Sequence, residues 1–211
     1  MNFLRKPYKY SFFNATAIII VLCVLMYVVK YFFSMRFSYL CSLNVNTILY
    51  NHAYWQFFTY MFVHADFFHI LFNMLTLFCI GTAVEKAIGS KEFLTFYFVT
   101  GTIAGLLSFL VYWMTDQYNV FLMGASGAIY AVLFAYAVIF PSSNIMIWGI
   151  IPVKAPLLVI IYAVIDLASQ IYQPSNIAHI THLFGLLAAW LYMIVRMGVK
   201  PVHIWINSFK K

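Results

Sequence analysis

The sequence predicts an all-α integral membrane protein, a bundle of six transmembrane helices with the N- and C-termini both cytoplasmic. Three observations predict it. Of 211 residues, 65% are hydrophobic and 8% charged, against roughly 25% charged in soluble domains. Such a chain cannot cover its surface with polar groups, so the solvent it faces is mostly lipid. Its apolar residues fall into six helix-length segments, and its basic residues sit at their ends. With the N-terminus inside, Arg5, Lys6, Lys9, Lys86, Lys91, Lys154, Arg196, Lys200, Lys210 and Lys211 collect on the inner side. Only Lys30 and Arg36 lie outside, the asymmetry that sets topology.

The same distribution explains the net charge of +7 without nucleic acid, for which a basic stripe on a soluble fold is the signature. No composition break divides residues 1–211, which read as one domain. Cys23, Cys41 and Cys79 are odd in number and two lie inside apolar runs, so they read as packing residues and not as a disulfide framework.

Residues 1–11 form a basic cytoplasmic start. The apolar run from about Phe12 to Phe33 is too long for a signal-peptide core and no small-residue cleavage site follows, so it reads as the first span. Residues 34–63 mix Tyr, Trp and Phe with polar residues, notably Tyr54-Trp55-Gln56-Phe57-Phe58-Thr59-Tyr60. Amphipathic aromatics favour the headgroup level, which predicts an interfacial loop. The second helix is expected over Asp66–Ala87, the third over Glu92–Met114 and the fourth over Ser126–Phe140. The fifth is expected over Pro156–Ile171, with Pro152 and Pro156 at its start, and the sixth over His179–Met197. Residues 198–211, His203 included, read as a solvated basic cytoplasmic tail. Glu85 and Lys86 read as an interfacial cap and ion pair, and the short tails suggest a minimal bacterial inner-membrane protein.

The chemistry-bearing residues share one depth. The second, fourth and sixth helices all run from outside to inside. At 1.5 Å per residue, Ser126 stands about 22 Å and His182 about 21 Å above their inner-interface markers, Pro141 and Arg196. His69 and Asn73 stand about 24 and 18 Å above Glu85. Polar groups so deep are costly unless paired or hydrated, and they mark function by default. A serine beside a histidine base is a nucleophile pair. His69 and Asn73, four apart, project from one helical face, where donors could stabilise an oxyanion. The fourth helix is too short to cross the core alone, which leaves a recess for water above Ser126. Gly124 and Gly127 permit close backbone approach. His182, Gly185 and Ala189 form a nearly continuous small face against which another helix can pack closely.

These residues, in this order, resemble the rhomboid family of intramembrane serine proteases, over about Trp55 to Ala189. The family's Gly-x-Ser-Gly motif at the start of the fourth helix corresponds to Gly124-Ala125-Ser126-Gly127, which implies Ser126 as nucleophile. The resemblance implies His182 as general base, with Tyr130 stacked near it. His69-Ile70-Leu71-Phe72-Asn73 matches the His-x-x-x-Asn pair, implying oxyanion donors together with the Ser126 amide. His64 and Ala83-Val84-Glu85-Lys86 match structural positions. Two positions depart from the family: Gln56 follows Trp55 where arginine is common, and Ala189 replaces the second glycine of the sixth-helix motif.

The resemblance implies a serine endopeptidase that cuts transmembrane segments of other membrane proteins through a Ser126–His182 dyad, in contact with lipid and without a cofactor. The alternative is a catalytically inactive rhomboid-like protein that binds client helices. A metal site at His179 and His182, or at His64 and His69, would require a glutamate-bearing motif or a third ligand, and none is expected. His179 reads as an interfacial or supporting histidine. Asp166, about 18 Å above Lys154, lies in the same layer as the dyad. There it could orient His182 as a third member of a triad, but because the resembled family works with two residues, a structural hydrogen bond is expected of it.

Overall fold

The computed structural model describes residues 5–6, 8–147, 149–172 and 178–210; Lys211, counted above with the inner basic residues, lies outside them. The chain is mostly helical. Four helical segments are long and apolar enough to cross a membrane, Ala15–Phe33, Phe67–Ile88, Ser90–Met114 and Ala155–Tyr172, and two shorter apolar helices, Ser126–Ile139 and His179–Val195, accompany them.

Helix α1 (Ala15–Cys41) continues beyond Phe33, so the expected loop begins later than its composition suggests. Nor is the rest of that stretch irregular. It holds α2 (Val45–Asn51), α3 (Gln56–Thr59) and a 3₁₀ turn (Tyr60–Phe62). Buried Gln56 organises it: its Oε1 accepts from the Asn44 amide at 3.1 Å and Thr47 Oγ1 at 2.7 Å, and its Nε2 donates to the Tyr39 and Leu40 carbonyls. Glutamine thus satisfies at least four backbone and hydroxyl groups at the position where the resembled family commonly has arginine.

The second predicted helix forms as α4 (Phe67–Thr76), a π-helical segment (Leu77–Gly81) and α5 (Thr82–Ile88). Asp66 caps α4 by accepting the His69 amide at 2.9 Å, the usual role of aspartate before a first turn. Glu85 departs from expectation. It does not face Lys86 as an ion pair but caps α1 from across the bundle, accepting the Ala15 and Thr16 amides and the Thr16 and Ser90 hydroxyls. A carboxylate at a helix N-terminus satisfies orphan amides and complements the dipole.

Helix α6 (Ser90–Met114) presents Gly101, Ala104, Gly105 and Ser108 as a buried face. A side chain at Gly101 would collide with Met61, and one at Gly105 with Tyr60. The Tyr60 hydroxyl donates to the Gly101 carbonyl at 2.6 Å. Helix α7 (Ser126–Ile139) is the centre of the molecule. It is buried along nearly its whole length, as a helix apolar all round must be, and packs against α6, α9 and α8.

Two elements escape the sequence reading. A hairpin of β1 (Asn144–Ile147) and β2 (Ile151–Lys154), paired from Asn144↔Lys154 to Ile147↔Ile151, corrects the all-α expectation and seats Pro152 in a strand. A two-stranded ribbon has only edges, where proline is tolerated. Helices α8 (Ala155–Tyr172) and α9 (Ala178–Val195) follow. The tail is not a solvated end throughout. It forms α10 (Pro201–Phe209), whose Trp205 indole donates to the Ala137 carbonyl at 3.0 Å and packs on Phe134. His203 does remain exposed.

Candidate active site

Three helices bring the predicted groups together at the start of α7. The approach of α7 to α9 depends on glycine: a Cβ on Gly185 would overlap the Gly127 carbonyl oxygen, and one on Gly127 would press on the Thr181 methyl at 3.0 Å. Ala189 is fully buried, so alanine serves where the family motif carries its second glycine. This contact sets Ser126 Oγ 2.9 Å from His182 Nε2. The Tyr130 ring lies parallel to the His182 imidazole, centroids 4.1 Å apart and planes 10° from parallel, which fixes the ring's plane.

On the other side, Gly124 holds φ +121°, a backbone conformation that favours glycine, and any Cβ there would collide with His69 Nε2. His69 therefore lies over the turn that leads to Ser126. Its Nδ1 accepts the Ala65 amide at 3.4 Å, which leaves Nε2 as the protonated, donating nitrogen. Asn73 is buried on the same helix face and donates one amide hydrogen to the His69 carbonyl at 3.0 Å. Its second hydrogen is not committed to that bond. Fully buried His64 accepts the Ala125 amide through Nε2 at 3.4 Å and so props the residue before the serine. Burial, and then the neighbouring His69, push its pKa down to about 4, which keeps it a neutral acceptor.

The site also contains Asp166, the group for which a structural hydrogen bond is the favoured expectation. Asp166, 2% exposed on α8, has Oδ1 2.5 Å from His179 Nδ1 and 3.4 Å from His182 Nδ1. The sequence shows that Asp166 shares the layer; only the packing of α8 on α9 shows that it faces His182. Asp166, His179 and His182 are also a set with the donor types and spacing to hold a cation, so the third ligand not expected beside the two histidines exists. Each histidine nitrogen nonetheless faces the carboxylate as a hydrogen-bond partner would, and the cluster is accounted for without one.

The pair is not sealed in the core: the His182 side chain is 15% exposed and Ser126 and Tyr130 are half-buried. The fold and this cluster define a membrane-embedded helical bundle holding a serine–histidine pair with amide and imidazole donors beside it. The Rhomboid domain family model matches residues 51–198. A Bacillus subtilis (strain 168) protein named, provisionally, as a rhomboid protease is 30% identical over 67% of this chain and 66% of its own length. RHOMBOID-like protein 1 of Arabidopsis thaliana is 30% identical over 79% of this chain and 40% of its own. Rhomboid protease GluP of Bacillus subtilis (strain 168) is 29% identical over 69% of this chain and 26% of its own. The chain thus spans less than two thirds of the length of each of these relatives. It belongs to the rhomboid family.

Proposed function

We propose that this protein is an intramembrane serine endopeptidase that cleaves transmembrane segments of other membrane proteins. The observation that carries the reading is the 2.9 Å separation of Ser126 Oγ and His182 Nε2, hydrogen-bond distance for a nucleophile and its base. In this reading all six apolar helices sit in the bilayer with both termini cytoplasmic, and the membrane is a bacterial inner membrane. A substrate helix enters sideways from lipid, between the second and fifth spans, here α4–α5 and α8. The outward face of α8, including Leu157, Ile160, Val164 and Leu167, is exposed.

A stretch of substrate unwinds, because a helical backbone hides its carbonyls. Ser126 attacks the carbonyl carbon while His182 Nε2 takes the hydroxyl proton. The oxyanion is stabilised by the Ser126 amide, His69 Nε2 and the free hydrogen of Asn73. His182 returns the proton to the leaving amine, an acyl-enzyme forms, and water entering beside His182 releases it.

The family includes members without activity, so the competing reading is a protein that binds client helices and does not cut them. Purified protein in lipid, given a single-span substrate with a weakly helical site, separates the two. Wild type cuts while Ser126→Ala and His182→Ala, still folded, do not; a wild type that binds substrates and cuts none establishes the binding protein.

A further inference from the structure

We infer that Asp166 is a positioning residue for the reaction, acting through His182. Its carboxylate holds the His182 Nδ1–H, which leaves Nε2 unprotonated toward Ser126. The inference rests on the proposed dyad and extends it to a third residue.

Burial and hydrogen bonding argue for this together. A carboxylate that only ties α8 to α9 would not need to face the ring that faces the serine. Asp166 Oδ1 faces both histidines, and the Tyr130 hydroxyl lies toward the same carboxylate, so the buried anion is surrounded by groups of the site. The shorter contact, to His179, holds the carboxylate in place. The longer one, 3.4 Å to His182 Nδ1, has room to tighten when substrate binds, as such bonds commonly do.

The Nδ1 hydrogen stays on His182 throughout. The Ser126 proton moves to Nε2 as the Oγ–carbon bond forms, giving an imidazolium that the Asp166 anion stabilises. The proton then leaves with the amine. Stacked Tyr130 fixes the ring's plane but leaves it free to rotate within that plane; a fixed Nδ1 partner removes this freedom. The titratable groups facing the pair are His179 on α9, Tyr130 on α7 and His69 on α4, with Tyr162 beside Tyr130.

The test follows phosphonylation of Ser126 by a fluorophosphonate, in which an Oγ–P bond forms and fluoride leaves. The full-length protein is used in lipid nanodiscs with a chelator, and the rate is measured across the neutral pH range. Asp166→Asn is expected to slow labelling on the order of 10²-fold or more and, in ¹⁵N-histidine-labelled protein, to remove the downfield Nδ1 proton of His182. His179→Gln should slow it far less and keep that proton. The inference is overturned if Asp166→Asn labels like wild type, or if both variants lose rate equally, as a simple helix tie would give. A wild type that labels rules out failure of the dyad itself; an unlabelled wild type overturns dyad and inference alike. Should Asp166→Asn not fold, His179→Gln still decides. With ¹⁵N-labelled histidine it retains one downfield Nδ1 proton if His182 bonds Asp166, and none if it does not.

Discussion

Two of the places where the molecule buries polar groups are built differently. At one end of the bundle Glu85 receives two amides and two hydroxyls, and Glu92 receives the Tyr192 hydroxyl at 2.6 Å and the Arg196 guanidinium at 2.9 and 3.1 Å. Around Ser126 most of the bonds, though not the one between Asp166 and His179, are longer. His182 stands 3.4 Å from Asp166, and Asn73 turns half of its donor capacity on its own helix. Saturated clusters hold helices together. An unsaturated one retains free donors and acceptors at a cost in stability, and under the proposed function these are what a reacting substrate uses.

The largest expected effect separates the two. Ser126→Ala should lower cleavage by at least about 10³-fold while leaving the melting temperature unchanged or raised, since no structural bond depends on that hydroxyl. A fall in melting temperature comparable to that of a Glu85 variant would erase the distinction. Glu85→Ala is the converse. It leaves two α1 amides and two hydroxyls without their acceptor and should cost about 3 kcal/mol in detergent unfolding, while protein that remains folded still labels at Ser126.

Glu92→Gln, at a partly solvated ion pair, should cost about 1 kcal/mol by the same measurement. A loss as large as that of Glu85→Ala would show that α6–α9 pairing, and not the α1 cap, dominates the inner end.

The smallest effect concerns His64. Its folded pKa of about 4 lies below the 6.5 of the free side chain, so the unfolded chain binds a proton first as pH falls. The contribution is therefore complete above about pH 6.5 and is lost as pH drops toward 4, on the order of 3 kcal/mol across that window. His64→Gln, which keeps an acceptor but does not titrate, should flatten that part of the stability profile. An unchanged slope would assign the acid sensitivity to other groups.

How much of this could be read from the chain follows from the range of the forces involved. Apolar length and the scarcity of charge are local properties. They located six apolar helices, the start of the second near Asp66 and of α7 at Ser126, and the heights of Ser126, His182, His69 and Asn73 along their helices, because a helix converts sequence spacing into height by a fixed rise. Small residues at Gly127 and Gly185 signalled a close helix contact for the same reason: the absence of a side chain is visible in the sequence. What height does not carry is rotation about the helix axis. Whether Asp166 faces His182 or lipid, whether Glu85 meets Lys86 or the amides of Ala15 and Thr16, and whether Gln56 can serve in place of arginine all depend on which faces meet. That is decided by packing between segments far apart in the chain. The hairpin at Asn144–Lys154 and the docking of Trp205 on Phe134 belong with them, since a four-residue strand or a short tail helix has too little local preference to form until the bundle supplies a surface. The sequence by itself therefore determined the apolar character of the helices and the height of each polar group along its own helix. Tertiary structure decided which polar groups touch, because hydrogen bonds need direction as well as depth.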